Sequence, residues 1–269
     1  MLYILSGAGV GFAIGLTGVG GGSLMTPLLL LFGYPPAIAI GTDLIYAGLT
    51  KASGVYFHHI KGSIRWRIVL LLAAGSIPAS IMLNLFIIDD EFRAQAGYEA
   101  VLTLSLGIML VLTALVILFQ DKIRRRIPES EPLEAHHTLD LPSYGFFQKH
   151  ENFSTLLTGI LLGICVTLSS VGAGAFGAAV LFILYPRIKA VHIIGTDIAH
   201  AVPLTLVAGL GYLYYGLVDF RLLVALLIGS LPGIYVGTHM GAKLPDRLMR
   251  SILALLLFGL GLNFVAGGH

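Results

Sequence analysis

Asp43 and Asp197 each close a Gly-Thr-Asp tripeptide, Gly41-Thr42-Asp43 and Gly195-Thr196-Asp197, inside a long apolar run. An ionisable side chain buried in such a run marks a functional site by default, because the surroundings penalise its charge. The two carboxyls could carry a coupled proton or cation, or they could hold a neighbouring loop by hydrogen bonds. Lys51 is the one cation inside an apolar run. Either it faces a cavity and attracts an anion, or its long stem snorkels to the inner surface. His192, Thr196 and His200 recur every four residues and so share one helix face. Such a polar stripe reads as a pathway lining, or as satisfied packing. No third ligand stands near the two histidines, so no metal is expected.

Two Gly-rich breaks interrupt apolar runs: Thr17-Gly18-Val19-Gly20-Gly21-Gly22-Ser23 and Ser169-Ser170-Val171-Gly172-Ala173-Gly174-Ala175. Each glycine in a helix interior costs about 1 kcal/mol against Ala, so each run breaks there and resumes as a short helix. The first turn of a helix presents unpaired N–H groups and a positive dipole end, which suit an anion. This makes Thr17, Gly20, Gly21, Gly22, Ser23, Ser169, Ser170, Gly172 and Gly174 candidate substrate contacts. The alternative is that the glycines only permit tight packing or a kink. Thr42, Thr196 and His200 join the candidates, although a threonine hydroxyl can equally bond back to its own helix. Asp43, Asp197 and Lys51 are assigned to coupling or to loop support. No nucleophile–base constellation is visible, so the chain is not expected to be an enzyme, and no cofactor is implied.

The elements that carry these residues follow from composition. Of 269 residues, 57% are hydrophobic and 11% charged, with mean hydropathy +0.91. A soluble domain carries about 25% charged residues. The balance excludes a soluble enzyme, a disordered chain and a nucleic-acid binder, and leaves an integral membrane protein. The single cysteine, Cys165, permits no intramolecular disulfide. The first basic side chain is Lys51, so the charged leader of a cleavable signal peptide is missing.

Spanning helices need about 20 apolar residues. Runs at 37–57, 67–88, 98–119, 190–215, 222–240 and 251–266 qualify, and the broken runs cover 2–32 and 153–185. The chain divides into a first transmembrane repeat (1–120), a polar linker (121–152) and a second repeat (153–269). Positions 41–78 recur at 195–232: Gly62 matches Gly216, Arg67 matches Arg221, and Gly75-Ser76-Ile77-Pro78 matches Gly229-Ser230-Leu231-Pro232. If both broken runs cross fully, loop Lys and Arg divide almost evenly between the two sides. If both re-enter as hairpins, one side keeps only Arg93 and Arg221, which is a strong positive-inside pattern. The expected fold is therefore an all-α polytopic membrane protein of two repeats. Each repeat is a broken, re-entrant hairpin plus three spanning helices, the two in inverted topology. Both termini then lie outside and the linker is cytoplasmic, in an inner (plasma) membrane. Arg67 and Arg221 either guide anions or anchor helix ends. His58-His59 and His136-His137 read as solvated loop residues.

The run Gly-Val-Gly-Gly-Gly-Ser-Leu, with Pro27 and Gly41-Thr42 after it and Gly195-Thr196-Asp197 in the second half, resembles the sulfite exporter TauE/SafE family. The resemblance implies an inner-membrane permease that exports sulfur-containing anions such as sulfite or organosulfonates like sulfoacetate. It implies a site around Gly20, Gly21, Gly22 and Ser23 with Ser169, Ser170, Gly172 and Gly174. Gly21 aligns with Ala173 and Pro27 with Ala179, so the half-sites differ. The expected partners are a small anionic substrate and the lipid bilayer, with a homodimer left open and no nucleic acid. The alternatives are an anion channel and a non-transporting membrane subunit.

Overall fold

The computed structural model describes residues 2–17, 22–87, 97–125, 151–241 and 246–267. All of its regular elements are helices: α1 (Leu2–Thr17), α2 (Gly22–Leu31), α3 (Pro36–Ile60), α4 (Trp66–Ile87), α5 (Tyr98–Arg125), α6 (Glu151–Ser169), α7 (Ala175–Leu184), α8 (Ala190–Tyr214), α9 (Phe220–Gly241) and α10 (Asp246–Val265). Five stretches are long and apolar enough to cross a membrane: Trp66–Phe86, Tyr98–Phe119, Glu151–Ser169, Ala190–Tyr214 and Phe220–Met240. Large apolar side chains such as Leu70, Phe86, Leu157, Leu231 and Leu255 face outward, as a lipid solvent permits and water does not. The protein is an all-helical membrane protein.

Both broken runs fold back on themselves. The Thr155 hydroxyl near the start of α6 lies 2.6 Å from the Tyr185 hydroxyl just past α7. Tyr3 in α1 stacks edge-on against Phe32 and Tyr34 beyond α2, with ring centroids 6.3 and 5.8 Å apart. Each short helix therefore returns to the end from which its run began. Helix α3 continues through His58 and His59, further than the apolar run suggested, and ends at Ile60 with Lys61 as its C-cap. The positive φ of Gly62 turns the chain there, and Gly216 does the same after α8. Of the expected linker, residues 126–150 lie outside the described residues, His136 and His137 among them.

The halves exchange partners. Helix α1 packs on α9, and α6 packs on α4. The approach is backbone to backbone: a Cβ on Gly7 or Gly11 would strike Leu226 or Ser230, and one on Gly159 or Gly163 would strike Leu72 or Ser76. Spacing of small residues by four lets neighbouring helices approach this closely. Helices α3 and α8 pair across the centre and run antiparallel: Gly41 meets Tyr212, Gly48 meets Leu206, and Gly195 meets His58. Helices α5 and α10 also run antiparallel, with Gly107 against Val265 and Gly261 against Val111. The main core joins Ile40 and Leu44 of α3, Leu162 and Val166 of α6, Leu181 and Phe182 of α7, and Leu204 and Ala208 of α8.

Candidate functional site

The described break between α6 and α7 is shaped by its own residues. The Ser169 hydroxyl donates to Cys165 O at 2.7 Å and accepts the Val171 N–H at 3.2 Å, which ends α6 in a side-chain-stabilised turn. Ser170 follows in the left-handed region at φ 56, and Gly172 and Gly174 at φ 119 and 142. Those last two angles are a glycine conformation, which lets the chain reverse here. Gly174 caps α7 without any side-chain hydrogen bond to its N–H groups. The Ser170 hydroxyl is buried without a hydrogen-bond partner and lies close enough to Asp43 to act on its carboxyl.

Three further groups lie at or beside this break, and His200 stands on the α4 side of the same helix that carries Asp197. Lys51, only 8% exposed, donates from Nζ to Ala173 O at 2.7 Å. Its stem does not run to the surface, so snorkelling does not describe it. Asp43 accepts two bonds from α2, from Thr26 N at 3.2 Å and Thr26 Oγ1 at 2.5 Å, while its Oδ1 has no partner. Asp197 Oδ1, also buried and unpartnered, lies against Gly177 of α7, where a Cβ would collide with it. Each carboxyl thus sits beside the first turns of the short helix in its own half. His200 is fully buried, with Nε2 2.8 Å from the Ser76 hydroxyl and Nδ1 unpartnered. Tyr46, its counterpart in the first half, lies beside Ser230, the counterpart of Ser76.

Thr42 and Thr196 take another position. The Thr42 hydroxyl accepts the Asp219 N–H at 3.1 Å, and the Thr196 hydroxyl accepts the Arg65 N–H at 3.0 Å. Both acceptors serve the loop after the third helix of the opposite half, and neither bonds back to its own helix. His192 lies one turn from Thr196 and is partly exposed, with Nδ1 unpartnered. Arg67 is exposed and donates to Asn152 Oδ1 at 3.3 Å. Gly20 and Gly21 lie outside the described residues, as do the side chains of Thr17 and Ser23; Gly22 opens α2.

The structure therefore gathers Asp43, Lys51, Asp197, Ser169, Ser170, Gly172 and Gly174 at or beside one break, buries His200 against Ser76 of α4, and puts Thr42 and Thr196 at the seams between halves. Sequence reasoning missed Thr26, Tyr46 and the Ala173 carbonyl. Thr26 had a signal, since it is the polar residue that follows the first break within α2. A backbone carbonyl has none.

Comparison with known proteins agrees with this architecture. No solved structure matches the chain. It is 37% identical over 267 residues to the "Probable membrane transporter protein YjnA" of Bacillus subtilis, covering 97% of this chain and 98% of that protein. It is 30% identical to the "Probable membrane transporter protein YdhB" of the same organism, covering 95% and 96%. A more distant relative, "Probable membrane transporter protein MJ0441" of Methanocaldococcus jannaschii, is 25% identical, covering 97% and 93%. The family described as Sulfite exporter TauE/SafE matches residues 3–264, and the chain belongs to that family.

Proposed function

We propose that the protein is a secondary transporter of small sulfur-containing anions, sulfite or an organosulfonate such as sulfoacetate, working by alternating access. The observation that carries this reading is the convergence of a buried ammonium, Lys51, and an unpartnered buried hydroxyl, Ser170, on the break that opens α7. Helix N-termini at unwound segments are where transporters of this general plan hold anionic groups. The break between α1 and α2 supplies the other half of the site, through Thr17, Gly20, Gly21, Gly22 and Ser23. Asp43 and Asp197 support the two short helices and handle coupling.

Alternating access requires two halves of opposite orientation. Antiparallel pairing of α3 with α8 and of α5 with α10 supports inverted repeats. The folded-back hairpins support re-entry from opposite faces, with six crossings by α3, α4, α5, α8, α9 and α10. Both termini then lie outside a plasma membrane and 126–150 lies inside. An anion leaving the cell runs down the inside-negative potential, about 2.3 kcal/mol per charge per 100 mV, which favours export.

The test is flux in proteoliposomes. Saturable uptake of sulfite or sulfoacetate, accelerated by the same anion on the far side, is the expected result. Flux without counterflow, faster than about 10³ per second, would make the protein a channel. Absence of flux for all of these anions would leave a non-transporting subunit.

A further inference from the structure

The two seams between the halves are built alike and charged oppositely. At each, a loop that follows a positive-φ glycine, Gly62 or Gly216, docks on the central helix of the opposite half. Ser63 and Ile64 are buried in one loop, and Leu217 and Val218 in the other. The residue whose N–H goes to the threonine is Arg65 in the first loop and Asp219 in the second, at 3.0 and 3.1 Å. These two hold the same place in the repeat, because 41–78 recurs at 195–232. Arg65 is exposed and Asp219 half-buried.

The contrast extends to the neighbouring caps. Lys61 caps the end of α3, and its counterpart Tyr215 caps the end of α8. Lys189 opens α8 at φ −56 and ψ 142, and Pro35 opens α3 at φ −56 and ψ 139. Arg67 and Arg221 match, so they do not distinguish the ends. One end of the α3–α8 pair therefore carries Lys61, Arg65 and Lys189 where the other carries Tyr215, Asp219 and Pro35. Between the ends, Asp43, Lys51, Ser169, Ser170 and Asp197 are all buried.

We propose that the two docked loops are the mouths of the pathway, and that their opposite charge makes the affinity for an anion sided: tighter at the Arg65 mouth, weaker at the Asp219 mouth. An anion held while the site is open to one mouth feels that mouth's fixed charges. Cations there raise its local concentration and a carboxylate lowers it, over about one Debye length. Sided affinity does not move the equilibrium, which the gradient sets. It gathers the anion at low concentration on one side and hinders its recapture on the other. The inference rests on the transport reading and names the residues that give it a direction.

The experiment measures sulfite uptake with the membrane potential clamped at zero, in inverted and in right-side-out vesicles, each presenting one mouth to the assay solution. Wild type is compared with Arg65→Gln and Asp219→Asn. Both substitutions keep the backbone N–H that bonds the threonine. Asparagine also keeps the cap on α9, where the Asp219 carboxyl accepts the Arg221 and Leu222 N–H groups at 2.9 and 3.0 Å. Wild type is expected to half-saturate at lower sulfite from the Arg65 mouth. Arg65→Gln should raise that value about threefold from its own side, and Asp219→Asn should lower it about threefold from the other, as one unit charge near the entrance would. Both shifts should shrink in about 1 M salt, where the Debye length is about 3 Å. Equal half-saturation of wild type from both sides would overturn the proposal, as would variants that shift both sides alike or neither. Wild type that carries no sulfite from either side would overturn the transport reading and this inference with it, whereas flux without sidedness overturns this inference alone.

Discussion

The Thr42 hydroxyl accepts the backbone N–H of Asp219 across the junction of the two halves at 3.1 Å. The same bond recurs with the halves exchanged, from the Arg65 N–H to the Thr196 hydroxyl at 3.0 Å. Beside each threonine a glycine admits the loop: a Cβ on Gly41 would strike the Leu217 carbonyl, and one on Gly195 would lie 3.0 Å from that of Ser63. The Gly-Thr-Asp tripeptide thus divides its work. The glycine makes room for the opposite half's loop, the threonine satisfies that loop's N–H, and the aspartate reaches the short helix of its own half.

Thr42→Val and Thr196→Val each leave one loop N–H without its acceptor. The expected loss is about 1 kcal/mol apiece. The two sites lie at opposite ends of the α3–α8 pair, so the double variant should lose about 2 kcal/mol. Thermal unfolding in detergent measures both. An unchanged melting temperature with lost anion binding would instead give the hydroxyls to the substrate.

Packing of α1 on α9 gives a sharper comparison within one helix. A Cβ on Gly11 would run into the Ser230 backbone, whereas a Cβ on Gly9 meets nothing within 4 Å. Gly11→Ala should therefore lower the melting temperature by several degrees, on the order of 2 kcal/mol for overpacking a close contact. Gly9→Ala should leave it unchanged or raise it slightly through helix propensity. Equal effects at the two positions would mean that α1 does not seat on α9 by this face.

The all-helical membrane class was legible in the sequence because it rests on a local signal. Apolar run length gave the helices, four glycines in five residues gave the first break, and Asp43, Lys51 and Asp197 stand out against apolar neighbours. The recurrence of 41–78 at 195–232 was also legible, but its partner exchange was not. Which helix α1 packs against depends on backbone approach between Gly11 and Ser230, far apart in the chain. The threonine roles were missed for the same reason. A hydroxyl that serves a loop more than a hundred residues away looks in sequence like one that bonds back to its own helix. The recurrence held a clue: Gly62 and Arg67 repeat in the same register as the tripeptide, as a loop and its dock would.

Ser170→Gly separates binding from folding. The residue sits at φ 56, which glycine adopts without strain, and its buried hydroxyl, although it lies near the Asp43 carboxyl, makes no hydrogen bond of good geometry. Removing an unsatisfied polar group is neutral or stabilising. The variant should melt at or above the wild-type temperature. If the hydroxyl donates to the bound anion, affinity for sulfite or sulfoacetate falls about tenfold, the worth of one hydrogen bond to a charged group. Ligand-induced thermal shift reads both effects in one titration.

Thr26→Val tests the support of α2. It removes the hydroxyl that donates to Asp43 at 2.5 Å and keeps the backbone N–H bond at 3.2 Å. A hydrogen bond to a charged group contributes about 2 kcal/mol, and the loss should appear as a lower melting temperature. Thr26→Ser retains the hydroxyl and should restore most of it. Failure of the serine variant to recover would mean that packing of the threonine methyl, and not the bond, supports the helix.

The proposed orientation of the chain rests on where its basic residues gather. The Arg67 guanidinium meets Asn152 at the start of α6, and Arg65 and Lys189 both act on His192 at the start of α8. The α3–α4 loop, the start of α6 and the start of α8 therefore share one face, and Lys61, Arg65, Arg67 and Lys189 crowd it. Excess Lys and Arg mark the cytoplasmic side. A cysteine introduced at His137, in a chain whose native Cys165 is replaced by alanine, should react with an impermeant maleimide only in inverted vesicles or opened cells. One introduced at Gly33, beyond α2 on the opposite face, should react in intact cells. Reversal of the two labelling patterns would invert the orientation while keeping the fold. Labelling of both from the same side would break the antiparallel relation between the halves, and with it the basis for alternating access.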